Sequence, residues 1–153
     1  MGGGEVVDRV AATTLVVAAG AAVAAQGPFN GAMARHVGIW PAALVSFVVG
    51  GLILIVVCTF AGGFGGLGSI TSAPWWAFLG GATGVAIVSA VIVGIGPLGA
   101  AGVTAATIGG QLAASVVIDR YGLFGMRASP LTAGKIIGIV LLAVGVWLIV
   151  RDR

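Results

Sequence analysis

Long uninterrupted apolar runs dominate the chain, and its charged residues collect at a few positions between them. Residues 10–34 carry no charge, and neither Lys, Arg, Asp nor Glu occurs between residues 36 and 118. A membrane-spanning helix needs about 20 consecutive apolar residues, so the first run suffices for one span and the second for several. The pattern therefore predicts an all-α, polytopic membrane protein.

Two stretches rich in Gly and Pro divide the long run. Residues 61–74, "AGGFGGLGSITSAP", predict a flexible loop closed by Pro74, and residues 94–99, "GIGPLG", predict a second break. Without the second break, a helix over 75–118 would extend about 66 Å, about twice the thickness of the hydrocarbon core. We therefore expect a single transmembrane domain over 1–153 with about five helices, at approximately 10–34, 37–60, 75–93, 99–118 and 131–150.

The composition excludes an ordinary soluble domain. Charged residues make up 7% of the chain and hydrophobic residues 59%, whereas soluble domains carry about 25% charged residues. The net charge is +3, but the Lys and Arg residues are spread along the chain without a basic patch, so we expect lipid headgroups and no nucleic acid as their partner. The tryptophans fall near predicted span ends, as in an aromatic belt: Trp40, Trp75, Trp76 and Trp147.

Little catalytic chemistry is visible. "GIGPLG" fits the dinucleotide fingerprint and Asp119 follows at a suitable distance, but that motif needs a soluble strand–turn–helix, and here Pro97 lies inside it. A turn between two spans is the favoured interpretation. The single Cys58 can form neither an internal disulfide nor a metal site. We expect no enzyme, no cofactor and no metal.

The N-terminal apolar run resembles a secretory signal, because residues 10–25 end among small residues. A signal peptide begins with a positively charged region, and Glu5 and Asp8 stand there instead. We expect the segment to be retained as the first span.

A polar stripe runs along the fourth predicted helix. Side chains advance about 100° per residue, so five polar residues share one face: Thr104, Thr107, Gln111, Ser115 and Asp119. If Asp119 lies at the hydrocarbon edge, Gln111 lies about 12 Å deeper, near the midplane where transporters bind their substrates. The alternative is structural, with hydroxyls bonded to their own helix and Gln111 joining helices. Asp119 is a candidate proton or gate residue, or an interfacial anchor paired with Arg120.

A second polar cluster, "QGPFN", lies in the first predicted helix. Gln26 and Asn30 share a face, and Pro28 between them removes the hydrogen-bond partner of the Ala24 carbonyl. Such a freed carbonyl is tolerated at membrane depth only when it is buried or faces a cavity. Either this cluster faces the same cavity as Gln111, or the helix ends here at the interface.

Small residues and missing carboxylates narrow the function further. Gly80/Gly84 and Gly134/Gly138 form GxxxG pairs, which let membrane helices approach closely. Tight packing within one chain accounts for most of the 28 glycines, and a dimer needs only a few.

A cation exporter usually needs a counter-charge inside the membrane. The predicted binding residues Gln111, Ser115, Thr107, Thr104, Gln26 and Asn30 instead suit a neutral or zwitterionic solute.

Several of these segments together resemble the YdcZ-type inner-membrane exporters of the drug/metabolite transporter superfamily. The matching segments are "QGPFNGAMARHVG", "SFVVGG", "PWWAFLGGATG", "GPLGAA", "GGQLAASVVIDRYGLFG" and "GKIIGIVLLAVGVWLI". The resemblance implies a bacterial inner-membrane, multi-pass protein of about five helices that looks like half of a transporter. The similar small multidrug transporters carry a glutamate in their first helix, which this chain lacks.

The leading hypothesis is a small secondary transporter that exports a small polar solute by alternating access. We expect an antiparallel homodimer, whose two inverted copies would supply the missing repeat. The Lys and Arg residues divide almost evenly between the two sides, which gives little orientational bias: Arg9, Arg120, Arg127 and Lys135 on one, and Arg35, Arg151 and Arg153 on the other. The alternatives are a dual-topology passive channel and a partner subunit of a heteromeric transporter.

Overall fold

The structure is a computed structural model that describes residues 9–151, so Glu5, Asp8 and Arg153 lie outside the described residues. Four α-helices follow one another: α1 (Arg9–Val37), α2 (Ile39–Ala61), α3 (Leu79–Tyr121) and α4 (Ala133–Arg151). Each is apolar and long enough to cross a membrane. No strand occurs in the described part of the chain, and the prediction of an all-α polytopic membrane protein is confirmed.

A single glycine separates α1 from α2. Gly38 has a φ of 87°, a left-handed conformation that glycine adopts without steric cost, and its N–H donates to the Ala34 carbonyl at 2.9 Å. Pro41 lies in the first turn of α2. Backbone N–H groups there have no acceptor within the helix, so the N–H that proline lacks costs no hydrogen bond. The helix α1 does not end at Gly27–Pro28, because Pro28 lies inside it. Of the two interpretations of "QGPFN", the interfacial helix end is therefore wrong.

The third helix contains residues 79–93 of the span predicted at 75–93 and the whole of the span predicted at 99–118. It continues from Leu79 to Tyr121, with one non-helical residue at Gly99 (φ 64°, ψ 176°) two residues after Pro97. A Cβ placed on Gly94 would lie 3.0 Å from Val103 Cγ2, whereas nine residues of straight helix span about 14 Å. The chain therefore turns sharply at Gly99. The parts 79–98 and 100–121 are each about 30 Å long, enough to cross a bilayer core.

The stretch expected to be a flexible loop is largely helical. Gly63–Ser72 and Trp75–Phe78 form two 3₁₀-helices separated by a short extended link at Pro74. Within the first, Ser69 and Ser72 donate to the carbonyls of Gly66 and Ser69. Side chains three residues apart eclipse in a 3₁₀-helix, and the many glycines of this segment remove that conflict.

The described chain forms two compact units. The first extends to Val93 and the second comprises Gly94–Arg153. A small core joins the three helical segments of the first unit: Ala42 and Ala43 of α2 pack with Val88 and Ile92 of α3, and Ala34 of α1 packs against them. One turn further along α2, the Phe47 ring lies against Gly84, where a Cβ would come within 3.2 Å of it.

Most apolar side chains remain uncovered by protein. No residue of α4 is buried, and only 6% of the most hydrophobic window of α1 or of α2 is buried. Lipid chains are as apolar as leucine, so a membrane protein does not need to bury these surfaces against itself. The expectation that packing within one chain accounts for most glycines is not met at Gly138 and Gly145, because a Cβ there would meet nothing within 4 Å.

Candidate functional site

A cleft with two polar side chains in a mainly apolar lining opens among the three helices of the first unit. Its volume is about 340 Å³, and it is lined by Gln26 of α1, by Ser46, Phe47, Gly50, Gly51 and Leu54 of α2, and by Val88 of α3. Glycines at Gly50 and Gly51 leave the space open, because no side chain fills it there. The volume is at the lower end of the range for small-molecule sites. Gln26 and Ser46 supply hydrogen-bonding groups, and no charged residue lines the cleft.

Two buried polar side chains lie in the same unit without a hydrogen-bond partner. Asn30 is 7% exposed and Ser89 is 8% exposed, and neither the Asn30 Nδ2 nor the Ser89 Oγ has a partner. Burying a polar group without a hydrogen bond costs about 1–3 kcal/mol. A buried polar group without a partner requires an explanation, and a bound molecule or an ordered water is one of them.

The topology places these polar residues at a similar depth. Because α2 runs antiparallel to both of its neighbours, α1 and the first part of α3 run in the same direction. Asn30 lies one turn before Ala34, which packs against the core, and Ser89 directly follows the core residue Val88. On α1, Asn30 stands between Ala34 and the cleft-lining Gln26. Ser89 follows Val88, which both lines the cleft and belongs to the core, so Asn30 and Ser89 lie on the helix segments where the cleft adjoins the apolar core, although neither lines the cleft itself.

Pro28 adds an unpaired backbone group to this region. It lies inside α1 and has no N–H to donate to the Ala24 carbonyl. Ala24 is half-buried. The first unit thus collects amides, hydroxyls and a freed carbonyl within an apolar surrounding.

The polar stripe on α3 has a different environment. Gln111 and Ser115 are exposed, whereas Thr104 and Thr107 are half-buried. Thr107 donates to the Val103 carbonyl at 2.8 Å, as the structural alternative for this residue predicts. The stripe lies on the side of α3 roughly opposite to the residues that face α4, so α4 does not cover it.

A larger cavity between α3 and α4 is apolar. It has a volume of about 720 Å³, and its α3 wall is made of small and aliphatic residues such as Ala106, Gly109 and Ala113. Arg151 lies at its α4 end, with its guanidinium 4.8 Å from the centre of the Trp147 ring. None of the stripe residues lines this cavity. It has the volume for a solute but not the hydrogen-bonding groups to orient a polar one.

Asp119 belongs to a polar junction between α3 and α4. Its Oδ2 lies 3.8 Å from the Nζ of Lys135, and its backbone carbonyl accepts a hydrogen bond from the N–H of Ser129 at 2.8 Å. Lys135 Nζ also donates to Ser129 Oγ at 2.8 Å. At the start of α4, Thr132 Oγ1 caps the helix by accepting from the Lys135 N–H. The expected pairing of Asp119 with Arg120 is wrong, because the folded-back loop brings Lys135 to the carboxylate instead.

Sequence reasoning missed Ser46 and Ser89. Each is an isolated serine in an apolar run without a polar neighbour at helical spacing, so no stripe marks it. Their importance becomes visible only when α1, α2 and α3 pack together. A search for any polar residue inside a predicted span would have found both.

Comparison with known proteins matches the sequence of this chain to a family. The family model described as "Putative inner membrane exporter, YdcZ" matches residues 11–148. The chain is 34% identical to Inner membrane protein YdcZ of Escherichia coli (strain K12) over 113 residues, which cover 72% of this chain and 74% of that protein. No solved structure matches the chain. The resemblance expected from the sequence motifs is confirmed.

Proposed function

Because the chain belongs to the YdcZ family of multi-pass inner-membrane proteins described as exporters, we propose that it is a secondary transporter of a small polar solute. In this proposal the solute binds in the cleft of the first unit and crosses the membrane by alternating access. The transporter works as an antiparallel homodimer.

The single observation that carries the proposal is the cleft between α1, α2 and α3. Gln26 precedes Arg35 by nine residues, about 14 Å along a helix. If Arg35, which is exposed, lies among the headgroups, Gln26 lies close to the bilayer midplane, where transporter sites are typically found. A polar cleft at that depth is costly to maintain in a membrane protein, and solute binding gives it a function.

The chemistry of the lining indicates the class of solute. Gln26 and Ser46 can each donate and accept hydrogen bonds, and neither carries a charge. Between residues 36 and 118 the chain has no carboxylate to neutralise a cation. The cleft therefore suits a neutral or zwitterionic solute better than a lipophilic cation.

The stripe on α3 supports the dimer. Gln111 and Ser115 are uncovered in the single chain, and an exposed carboxamide near the midplane of a bilayer is unfavourable. In the proposed dimer a second copy covers Gln111 and Ser115. These two residues line the solute pathway together with Thr104 and Thr107.

The outer face of α4 suits the same assembly. Gly134, Gly138 and Gly145 lie on the side of α4 that faces away from α3. A Cβ on Gly138 or Gly145 would meet nothing within 4 Å, so another helix can approach the backbone there. Two inverted copies packed along this face would give the two-fold axis in the membrane plane that inverted-repeat transporters have.

The function is tested by uptake into proteoliposomes. We expect saturable, protein-dependent uptake of radiolabelled erythritol or malonamide, which are neutral, or of the zwitterion glycine, and none of tetramethylammonium. Two results would contradict the proposal. The first is uptake of tetramethylammonium alone. The second is uptake of all four solutes that does not exceed the background measured in protein-free vesicles.

The orientation is tested by labelling one cysteine near the C-terminus with a membrane-impermeant reagent in sealed cells, after replacement of Cys58 by alanine. An antiparallel homodimer predicts that about half of the molecules react. Labelling of nearly all molecules, or of nearly none, would indicate one fixed orientation and contradict the dimer proposed above.

A further inference from the structure

The buried Asn30 Nδ2 and Ser89 Oγ atoms make no hydrogen bond that would account for polar side chains at these two positions. Both are more than nine-tenths buried, and their Nδ2 and Oγ atoms have no partner. The two residues come from different helices of the first unit: Asn30 lies one helical turn from the cleft-lining Gln26, and Ser89 is the neighbour of the cleft-lining Val88. Two buried polar side chains on different helices both lack a hydrogen-bond partner. One bound molecule that accepts from both explains this more simply than two independent packing defects.

We propose that Asn30 and Ser89 form a subsite at the end of the cleft that binds a neutral, hydrogen-bond-accepting oxygen of the transported solute. This inference rests on the proposed function, since it assigns part of the same solute. The oxygen belongs to a carbonyl or a hydroxyl group. Gln26 and Ser46 bind the remainder of the solute in the open part of the cleft.

The donor set determines the chemistry of the ligand. The Asn30 Nδ2 atom can only donate, and the Ser89 hydroxyl can donate as well as accept. Their common partner is therefore an acceptor, and an oxygen has the lone pairs to accept from both. An ammonium group offers no lone pair and would face the Nδ2 hydrogens, so it does not fit.

The surroundings of the subsite exclude a carboxylate as the group that supplies the bound oxygen. The core next to the subsite consists of Ala34, Ala42, Ala43, Val88 and Ile92, which cannot solvate an ion. The described positively charged residue closest in sequence to Asn30 is Arg35, and it is exposed. An uncompensated anion in such a surrounding costs several kcal/mol. Of the neutral and zwitterionic solutes that the cleft admits, the subsite selects the neutral ones.

The chain offers a direct probe of this subsite, because Asn30 is its only asparagine. Protein grown with ¹⁵N-labelled asparagine and reconstituted in nanodiscs gives one side-chain NH₂ signal in an NMR spectrum. That signal reports on the hydrogen bonds of Nδ2. We expect erythritol and malonamide to shift it in a saturable manner, and glycine and tetramethylammonium to leave it unchanged at the same concentrations.

Two substitutions on α3 provide a matched pair. Ser89→Ala removes the proposed second donor and should raise the half-saturating concentration at least threefold. Thr83→Val also removes a hydroxyl from α3, but that hydroxyl is exposed and donates to the Gly80 carbonyl. It should leave the titration unchanged.

Three results would overturn the inference. The first is a signal that no solute shifts, which would mean that water satisfies the amide. The second is a signal that Ser89→Ala shifts in the absence of solute and that no solute shifts in the wild-type protein. This result would mean that the two side chains form a hydrogen bond with each other. The third is an equal response to glycine. Uptake of the neutral solutes without a shift would refute the subsite alone, whereas a shift without uptake would support the subsite and refute transport.

Discussion

The cleft of the first unit and the stripe of the second present the same kinds of side chain in different environments. Gln26 and Gln111 are both carboxamides in long apolar helices, each accompanied by hydroxyls. Both are exposed, but Gln26 lines a cleft to which α2 and α3 also contribute, whereas Gln111 lies on the side of α3 that faces away from α4. A polar residue inside a span therefore has no fixed meaning, and its role depends on what covers it.

This difference separates what one chain provides from what an assembly must provide. The cleft has walls from three helices of the same unit, so its binding groups are in place in a single chain. The stripe has a wall on one side only, so any function there needs a second surface. The following predictions use substitutions in the two regions to test that distinction.

The largest effect is expected at the stripe. Gln111→Ala should abolish uptake of the neutral solutes while leaving folding and assembly intact, because the exposed side chain has no packing role in the chain. Size-exclusion chromatography checks the assembly and proteoliposome uptake checks the function. Val117→Ala, an exposed position on the other side of α3, is the control and should behave as wild type. Normal uptake by Gln111→Ala, or loss of folding, would show that the stripe has no binding role.

In the cleft, Gln26→Leu should reduce uptake about tenfold. Loss of one hydrogen bond costs about 0.5–1.5 kcal/mol, and 1.4 kcal/mol corresponds to a factor of ten. The control is Thr14→Val, which removes an exposed hydroxyl of α1 that donates to the Val10 carbonyl. Equal uptake by both variants would indicate that the cleft is not on the pathway.

Asn30→Leu should raise stability while it lowers uptake. Leucine has the same branching as asparagine, and replacing an unsatisfied buried amide by an apolar group removes a cost of about 1–3 kcal/mol. We expect the free energy of unfolding in detergent to rise by about 1 kcal/mol. A destabilised variant would mean that the amide has a structural partner in solution.

The smallest effect is expected outside both regions, at the junction of α3 and α4. Asp119→Asn breaks a partly exposed ion pair with Lys135, and such pairs contribute about 0–1 kcal/mol. Stability should fall by no more than that, and the pH dependence of uptake should not change. A variant that loses uptake or its pH dependence would instead make Asp119 the proton or gate residue.

The sequence predicted the membrane-spanning helices and the turn inside α3 better than it predicted the contacts between residues far apart in the chain. The absence of charge between residues 36 and 118 is enough to predict helices in a membrane, and Pro97 with Gly99 marks the turn inside α3. The 3₁₀-helix at Gly63–Ser72 was missed, because glycine-rich composition also describes a flexible loop. The Asp119–Lys135 pair was missed because it depends on how the residues 122–132 fold back.

The candidate site was predictable only in part. Gln26 and Asn30 were found because they share a helical face around Pro28, and that signal is local. Ser46 and Ser89 depend on which faces of α2 and α3 meet α1, which no periodicity in a uniformly apolar helix records. The exposure of Gln111 in one chain is likewise a property of packing.

The central claim is that neutral polar solutes cross the membrane by binding in the cleft of the first unit. It is tested most directly by counterflow in proteoliposomes loaded with unlabelled erythritol or malonamide and diluted into trace amounts of the same labelled solute. The account predicts transient accumulation of label above its equilibrium level with the wild-type protein and accumulation about tenfold slower with Gln26→Leu. Rapid equilibration without accumulation would indicate a passive channel, and accumulation unchanged by Gln26→Leu would place the pathway elsewhere; either result would contradict the claim.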